Sequence, residues 1–511
     1  MGQRRTVTGR RQQRAAIILL AITLLLSPTG IGGAIDPGSR GCDFEGYNPV
    51  DGCETWNHRY GTNAYEIVEV TEAGPEGETL FVGGHSGADL EGRYPDGAEM
   101  FLLSLDAGDG SERWRTGYDL EEPNATNHRV NDLAVHPAGD RIYTATSVKT
   151  EADTDKATFQ ARDAETGHTV WSVTPTDEHA SYARTVEVTS DGQFVLVGGT
   201  VANEEGWYAW VAKLDASTGE RLWFTTTQHA PGGFVRTDHL AISEDTDRAF
   251  LASAAAWRTA ASSFNLTTGE LQWEHRSSSA EGSFLTSMAV SPDGKTLVLA
   301  GGDVNAFRVT DEHGRVEALD TETGEQRWLR LLEPGLEPQL RSRDTVTRDV
   351  EIGPDSEFVY ATGTNDHTVD ERVYNVALDV DNGTTAWQET YGTYHEETGD
   401  PALEVAPDGK TVYTATCQWL AGSVDYDVVT TARDAGTGEE EWRARYAGED
   451  LGQCLSPPNA GVTVGPAGER LFLSGRAFDT ETATSLPLYP SASTFAYELP
   501  PTPVDGTPVE G

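Results

Sequence analysis

The chain has 511 residues, of which 82 are Asp or Glu and 37 are Lys or Arg, so its formal net charge at pH 7 is −45. This balance argues against nucleic acid as a partner, because phosphate binding requires clustered cationic side chains. The acidic residues are most simply explained as a solvated surface, and cation binding is the alternative explanation.

Residues 1–34 have the pattern of a secretory signal peptide. Five arginines between residues 4 and 14 precede an apolar run from Ala15 to Leu26, and Gly32, Gly33 and Ala34 follow. This order of basic, apolar and small residues is typical of a cleaved signal, with cleavage expected after Ala34. The apolar run is shorter than the roughly 20 residues of a membrane span, so an uncleaved anchor is the secondary interpretation. We therefore expect a secreted, extracellular bacterial protein without a stable membrane span after cleavage.

One motif recurs eight times between residues 48 and 442: Asp or Asn, then Gly four residues later, then Trp after four more. Residues 214–223, for example, read Leu-Asp-Ala-Ser-Thr-Gly-Glu-Arg-Leu-Trp. A period of about 50 residues is typical of propellers and solenoids. We expect the Trp side chains to be structural groups that dock on the neighbouring sheet. They are Trp56, Trp114, Trp171, Trp223, Trp273, Trp328, Trp387 and Trp442.

Each repeat has a second landmark, a polar turn between two β-rich runs, such as the Ser-Pro-Asp-Gly of residues 291–294. Pro presets φ and Gly accepts a positive φ, so these are tight hairpin turns. Together the two landmarks divide each repeat into four short strands, termed A to D, with the Trp on strand D. Eight repeats predict an all-β fold, an eight-bladed β-propeller with four antiparallel strands per blade, over residues 35–498.

The two ends of the chain are expected to meet in the last blade. The first Trp strand, near residues 53–60, has no strand A or B before it, whereas the last strands A and B lie near residues 462–474. The N-terminal segment should therefore close this blade. Residues 44–47 and residues 494–498 are alternative sources of its strand C. Residues 499–511 are rich in Pro and Gly and are predicted to be a disordered tail.

The Asp-x-x-Thr-Gly-x-x-x-Trp turn, paired with the A–B turn, resembles the pyrroloquinoline-quinone (PQQ)-like repeat of the quinoprotein alcohol dehydrogenase-like superfamily. The resemblance covers residues 42–498 and implies the propeller fold. It implies a function less specifically, since the superfamily includes dehydrogenases as well as non-enzymatic scaffolds and assembly factors. Its dehydrogenases use an adjacent Cys–Cys disulfide beside the cofactor, and this chain has no adjacent cysteines. That departure argues against PQQ and indicates a non-dehydrogenase member.

In a propeller the A strands line the central channel, and the D–A loops open on one face. Polar residues just before the apolar part of each strand A are therefore candidates to bind a small polar ligand or an ion at the channel mouth. The alternative is a solvated rim whose Arg and Asp side chains pair with each other. The candidates are Glu66, Asn131, Asp132, Arg184, Asp238, His239, Arg348 and Asp349.

Deeper in strand A, four blades carry a glutamate: Glu69, Glu187, Glu351 and Glu404. If these side chains face the channel, they form an acidic throat that could bind a hard cation such as Ca²⁺ through its carboxylate oxygens. The alternative is that they bind neighbouring Arg side chains or backbone amides. No cofactor is predicted from the sequence itself.

Four cysteines in an exported chain suggest two disulfides. Cys417 follows strand B of one blade and Cys454 lies in the D–A loop to the next, so their loops are neighbours on one face. Cys42 and Cys53 flank the first Trp turn. The predicted pairs are therefore Cys42–Cys53 and Cys417–Cys454.

The sequence contains no Gly-x-Ser-x-Gly, His-Glu-x-x-His or phosphate-loop motif. We therefore assign no catalytic residue, and the absence of a catalytic signature favours a secreted, monomeric scaffold. Such a scaffold would bind an extracellular protein, a glycan or a small polar ligand through its D–A loop face. The alternative is an enzyme, either a PQQ- or metal-dependent oxidoreductase or a channel-mouth hydrolase or lyase.

Overall fold

The computed structural model describes strands and tight turns within residues 54–499 and contains no helix in that described part. The described ranges are residues 54–60, 65–88, 99–117, 126–149, 155–175, 180–203, 206–227, 235–255, 258–277, 282–303, 313–332, 344–366, 371–391, 401–419, 426–446, 453–454, 461–478 and 490–499. The predicted signal peptide lies outside them, as do residues 500–511 of the predicted tail. No helix in the described part could cross a membrane.

In chain order, the first seventeen strands are β1 (Glu54–Tyr60), β2 (Tyr65–Ala73), β3 (Thr79–Ala88), β4 (Glu99–Asp106), β5 (Glu112–Thr116), β6 (Thr126–Val135), β7 (Arg141–Lys149), β8 (Asp155–Asp163), β9 (Thr169–Val173), β10 (Ala180–Val188), β11 (Phe194–Asn203), β12 (Gly206–Asp215), β13 (Arg221–Thr227), β14 (Val235–Ser243), β15 (Arg248–Ala255), β16 (Arg258–Asn265) and β17 (Leu271–Arg276). The others are β18 (Ser283–Val290), β19 (Thr296–Asp303), β20 (His313–Asp320), β21 (Gln326–Leu332), β22 (Asp344–Ile352), β23 (Phe358–Asp366), β24 (Glu371–Asp379), β25 (Thr385–Tyr391), β26 (Ala402–Val405), β27 (Thr411–Trp419), β28 (Tyr426–Asp434), β29 (Glu440–Tyr446), β30 (Gln453–Cys454), β31 (Val462–Val464), β32 (Arg470–Phe478) and β33 (Pro490–Glu498).

These strands form eight antiparallel sheets, which confirms the predicted eight-bladed β-propeller. Blades 1 to 7 are consecutive meanders, from β2–β5 in blade 1 to β26–β29 in blade 7, and each uses its strands in the order A, B, C, D. The innermost strands are β2, β6, β10, β14, β18, β22, β26 and β31. Each lies beside the next, and β31 lies beside both β26 and β2, so the ring is closed.

Blade 8 is built from both ends of the described chain. Strands β31, β32 and β33 supply A, B and C, and β1 pairs with β33 as strand D. Trp56 of β1 lies opposite Ala496 of β33. Of the two alternatives for strand C, the C-terminal one is therefore correct. The two-residue strand β30 also pairs with β32, at Ala477 and Arg476.

Each Trp joins its blade to the next one. The Trp328 indole Nε1, for example, donates to the Val380 carbonyl at 2.8 Å. Gly383 of the same turn has φ +67°, and a Cβ at this position would lie 2.7 Å from the indole ring. Since Gly accepts a positive φ and leaves room for the ring, the Gly and the Trp of the motif act together across a blade boundary. The same Trp-to-carbonyl hydrogen bond is made by Trp56, Trp114, Trp171, Trp223, Trp273 and Trp387.

The innermost strands of blades 1 to 6 share a β-bulge. The pairing with strand B shifts by one residue, as between Ala183 and Thr185 in β10 and between Thr347 and Asp349 in β22. The extra residue has no residue opposite it on strand B, and it changes the direction of the side chains around it. The bulged residues are Glu69, Asn131, Arg184, Asp238, Thr286 and Arg348.

Candidate functional site

Each innermost strand is the edge of its sheet, so its outward amides and carbonyls need partners other than sheet neighbours. Asp132, which follows the bulge in blade 2, supplies such a partner. Its Oδ2 accepts from the Val186 amide of blade 3 at 2.9 Å, and its Oδ1 accepts from the Leu133 amide at 2.9 Å. One carboxylate therefore connects two adjacent blades.

Asp349 holds the equivalent position in blade 6 and connects three blades. Its Oδ2 accepts from the Leu403 amide of blade 7 at 3.0 Å. Its Oδ1 accepts from the Ser287 hydroxyl of blade 5 at 2.9 Å and from the Val350 amide at 2.9 Å. Burial nevertheless raises the pKa of Asp349 above its ordinary value.

Other predicted mouth residues also bind the backbone of the next blade. Asn131 Nδ2 donates to the Ala183 carbonyl at 2.8 Å and to the Ser147 hydroxyl at 2.9 Å. His239 Nε2 lies 2.9 Å from the Thr286 carbonyl. Asn131 and His239 therefore both contact the backbone of the next blade.

The remaining mouth candidates lie on four different blades. The Arg184 guanidinium lies 5.6 Å from the centre of the Tyr182 ring. Arg348 is the bulged residue of blade 6, half the ring away in blade order. Glu66 is buried on β2 beside Ser86, three residues before the bulge of blade 1. The side chain of Asp238 lies outside the described residues.

The four glutamates predicted to line the throat do not share one register. Glu187, Glu351 and Glu404 each lie two residues before the start of their A–B turn, and in blade 1 that position holds Glu72. Glu69, the predicted member, is the bulged residue, and its Oε1 lies 3.3 Å from Nδ1 of the buried His85. The apolar residues around Glu69 mimic a regular strand, which conceals the bulge. Counting back from the turn at Gly74 would have identified Glu72.

The throat carboxyls interact with each other across the channel. Burial, reinforced by Asp132, raises the pKa of Glu72 to about 8, and burial raises the pKa of Asp132 to about 6. Burial together with neighbouring carboxylates raises the pKa of Glu187 and of Glu404 well above the ordinary value. Burial, reinforced by Asp349, raises the pKa of Glu351 to about 8, and Glu351 Oε2 accepts from the Val405 amide at 2.8 Å. The throat therefore favours protonated over ionised carboxyls.

Two observations bear on whether the described lining could hold Ca²⁺. No group of three or more His, Cys, Asp or Glu side chains in the described residues is placed to hold a metal ion. The polar atoms of Asp132 and Asp349 are already engaged by backbone amides.

The sequence interpretation missed a buried ionic network between blades 4 and 5. Arg315, only 2% exposed, donates to Asp303 at 2.9 Å and to Glu317 at 2.8 Å. Glu317 also lies 3.1 Å from His275 Nε2. Burial alone would raise the pKa of Glu317, but the hydrogen bond from His275 and the charge and hydrogen bond of Arg315 together lower it. The sequence signal for this network is the Arg-Val-Glu of residues 315–317, which places two charged residues on a strand next to the apolar Ala318 and Leu319.

The disulfide predictions stay predictions. Cys42 and Cys53 lie outside the described residues, as do the side chains of Cys417 and Cys454. The backbone of β30, which carries Cys454, lies beside β27, which carries Cys417.

Structures similar to this chain are themselves propellers and quinoproteins. The Dos1 propeller matches with a TM-score of 0.53 at 12% identity, over 87% of this chain and 94% of that one. The quinohemoprotein alcohol dehydrogenase of Comamonas testosteroni matches with a TM-score of 0.50 at 12% identity, over 90% of this chain and 79% of that one. At these identities the likeness establishes the fold alone.

A sequence relative points to the same superfamily. The quinoprotein ethanol dehydrogenase of Pseudomonas aeruginosa is 28% identical over 190 residues, which is 35% of this chain and 28% of that enzyme. The chain thus spans less than a third of that relative. The family described as outer membrane protein assembly factor BamB, a PQQ-like repeat family, matches residues 98–346 and 210–457. These two matches overlap and together cover well over half of the chain, which therefore belongs to this PQQ-like repeat family.

Proposed function

We propose that the protein is an exported, non-catalytic scaffold that binds a protein or glycan partner through the face bearing its D–A and B–C loops. The observation that carries this proposal is the contrast between the two faces of the ring. On one face, the turn between strands C and D repeats the same backbone hydrogen bond in seven blades, 2.8 Å from Gly to Asp or Asn. On the other face, the connections range from residues 204–205 to residues 333–343.

Loop variation on a rigid framework is how propellers and other scaffolds acquire binding specificity. The channel supports a catalytic role less well than the loop face supports a binding role. Its acid and base candidates Asp132, Asp349 and His239 Nε2 already contact backbone groups of the next blade. The family description, an assembly factor, agrees with a binding role.

The test uses the full mature chain immobilised as bait for the exported proteins and cell-wall glycans of its own cells. A variant in which residues 333–343 are replaced by Gly and Ser should lose at least one specific partner. A matched variant on the opposite face, with Glu322→Gln and Glu325→Gln, should retain it. Absence of any specific partner, or equal binding by both variants, would overturn the proposal.

A redox function is the second candidate, because of the match to a quinoprotein ethanol dehydrogenase. The test is incubation with PQQ and Ca²⁺, followed by dye reduction with alcohols and sugars. Cofactor absorbance that survives gel filtration, together with substrate-dependent dye reduction, would establish it and displace the scaffold proposal. We expect neither, because the throat is lined by carboxyl groups.

A further inference from the structure

The turn between strands C and D of blade 6 contains the only Asn-Gly pair in the sequence, Asn382–Gly383. Asn382 is exposed and lies between β24 and β25. The backbone nitrogen of the residue after an asparagine can attack the side-chain amide carbon, and a glycine has no Cβ to shield that nitrogen. Among the asparagines of the chain, Asn382 therefore has the least hindered neighbour.

The turn holds the two reacting groups close together. Asn382 Oδ1 accepts from the Thr384 amide at 2.8 Å. Such a turn brings the side-chain carbonyl carbon towards the intervening nitrogen of Gly383, and the hydrogen bond draws electron density away from that carbon. The Gly383 nitrogen donates to the Asp379 carbonyl at 2.8 Å, so this bond must open before attack. Local opening of an exposed turn requires far less free energy than global unfolding.

We propose that Asn382 is a site of spontaneous covalent modification, which deamidates through a cyclic imide and thereby disconnects blade 6 from blade 5. The Gly383 nitrogen loses its proton and forms a bond to Asn382 Cγ, and the side-chain amide leaves as ammonia. Water then opens the imide at one of its two carbonyl carbons, and no atom is oxidised or reduced. One opening gives aspartate. The other gives isoaspartate, in which the main chain runs through the former side chain.

Blade 1 indicates that the aspartate product fits this turn. Its equivalent turn has Asp109 before Gly110. Asp109 Oδ1 accepts from the Ser111 amide at 2.9 Å, which is the same hydrogen bond that Asn382 makes in blade 6. Conversion of Asn382 to aspartate should therefore leave the turn unchanged.

Isoaspartate has a different effect, because it lengthens the main chain by one atom. Gly383 has φ +67° and lies so close to the Trp328 ring that an added Cβ would be 2.7 Å from it. The same turn supplies the Val380 carbonyl that accepts from the Trp328 indole at 2.8 Å. An extra main-chain atom displaces Gly383 from the ring and from the Asp379 carbonyl. Isoaspartate at residue 382 therefore breaks the outer joint between blades 5 and 6.

The experiment is incubation of the folded full chain at mildly alkaline pH, which favours the deprotonated nitrogen, followed by peptide mapping by mass spectrometry and denaturant unfolding. We expect isoaspartate to accumulate at residue 382, and the incubated protein to unfold at a lower denaturant concentration than the fresh protein. Asn382→Thr is the matched control and should keep its unfolding midpoint. Five other blades carry threonine at this position: Thr166, Thr218, Thr268, Thr323 and Thr437.

Absence of isoaspartate at residue 382 in the incubated wild-type protein would overturn the proposal. Isoaspartate that leaves the midpoint unchanged, or a midpoint that falls equally in wild type and Asn382→Thr, would do the same. Fresh Asn382→Asp reproduces the aspartate product and should be as stable as the fresh wild type. If it is as unstable as the incubated protein, the added charge and not the longer main chain breaks the joint, which contradicts the proposal.

Discussion

Neighbouring blades are joined at two radii, and the two sets of joints differ in regularity. On the outside, an indole N–H donates to the carbonyl of the next blade in seven copies, at 2.8–3.3 Å. At the channel, the joints use Asp in blades 2 and 6, His in blade 4 and Asn in blade 2. The outer joints repeat one hydrogen bond around the ring. The inner joints differ from blade to blade, because each binds the particular backbone amides or carbonyls that its edge strand leaves without a sheet partner.

The outer joint should contribute most to stability. Trp328→Ala removes an indole that is 7% exposed and its hydrogen bond to Val380. We expect a loss of about 3–5 kcal/mol in the free energy of unfolding, the range for truncation of a large buried aromatic side chain. Denaturant titration measures it. Leu331→Ala on the same strand, 47% exposed, should change stability by less than about 0.5 kcal/mol. Equal losses in the two variants would show that the Trp does not join the blades.

The glycine of the outer joint gives a sharper comparison within one turn. Gly438 has φ +74°, and an added Cβ would lie 2.6 Å from the ring of Trp387, whereas a Cβ on Gly436 would meet only Asp434 Oδ1 at 3.5 Å. Gly438→Ala should therefore cost about 2–3 kcal/mol, through backbone strain and overpacking. Gly436→Ala should be close to neutral. Thermal unfolding of both variants measures the difference, and similar melting temperatures would contradict the assigned contact.

The inner joint should contribute less per residue. Asp349→Asn keeps the shape of the side chain but turns one acceptor into a donor facing an amide or hydroxyl donor. We expect a loss of about 1–3 kcal/mol, the cost of an unsatisfied buried group. Asp381→Asn is the control, since the Asp381 side chain is 85% exposed. A loss no larger than that of the control would mean that the three hydrogen bonds of Asp349 do not hold the channel together.

The same contrast explains how much could be predicted from the sequence. The outer joint could be predicted from the sequence because its motif repeats. Counting the Trp motifs gives eight blades and places Trp56 in a blade closed by the N-terminal segment. The inner joints could not be read in this way, because a β-bulge leaves no distinct pattern in the sequence. Glu69 therefore seemed to belong to the throat in place of Glu72. The hydrogen bonds of Asp349 depend on groups from three blades, which no local pattern reveals.

Blade 8 sets the order of events in folding. Its strand D, β1, is the first described strand to be synthesised, and its strand C, β33, is the last. Until β33 is synthesised, the seven complete meanders can form only an open arc. Strand β1 cannot pair before then, because its partner β33 lies near the other end of the described chain. Pairing over such a sequence separation is slow, because the entropy of closing the loop must be overcome before contacts are gained. Closure of the ring should therefore be the late, rate-limiting step of folding, and an arc with two open edges is the species most prone to aggregate.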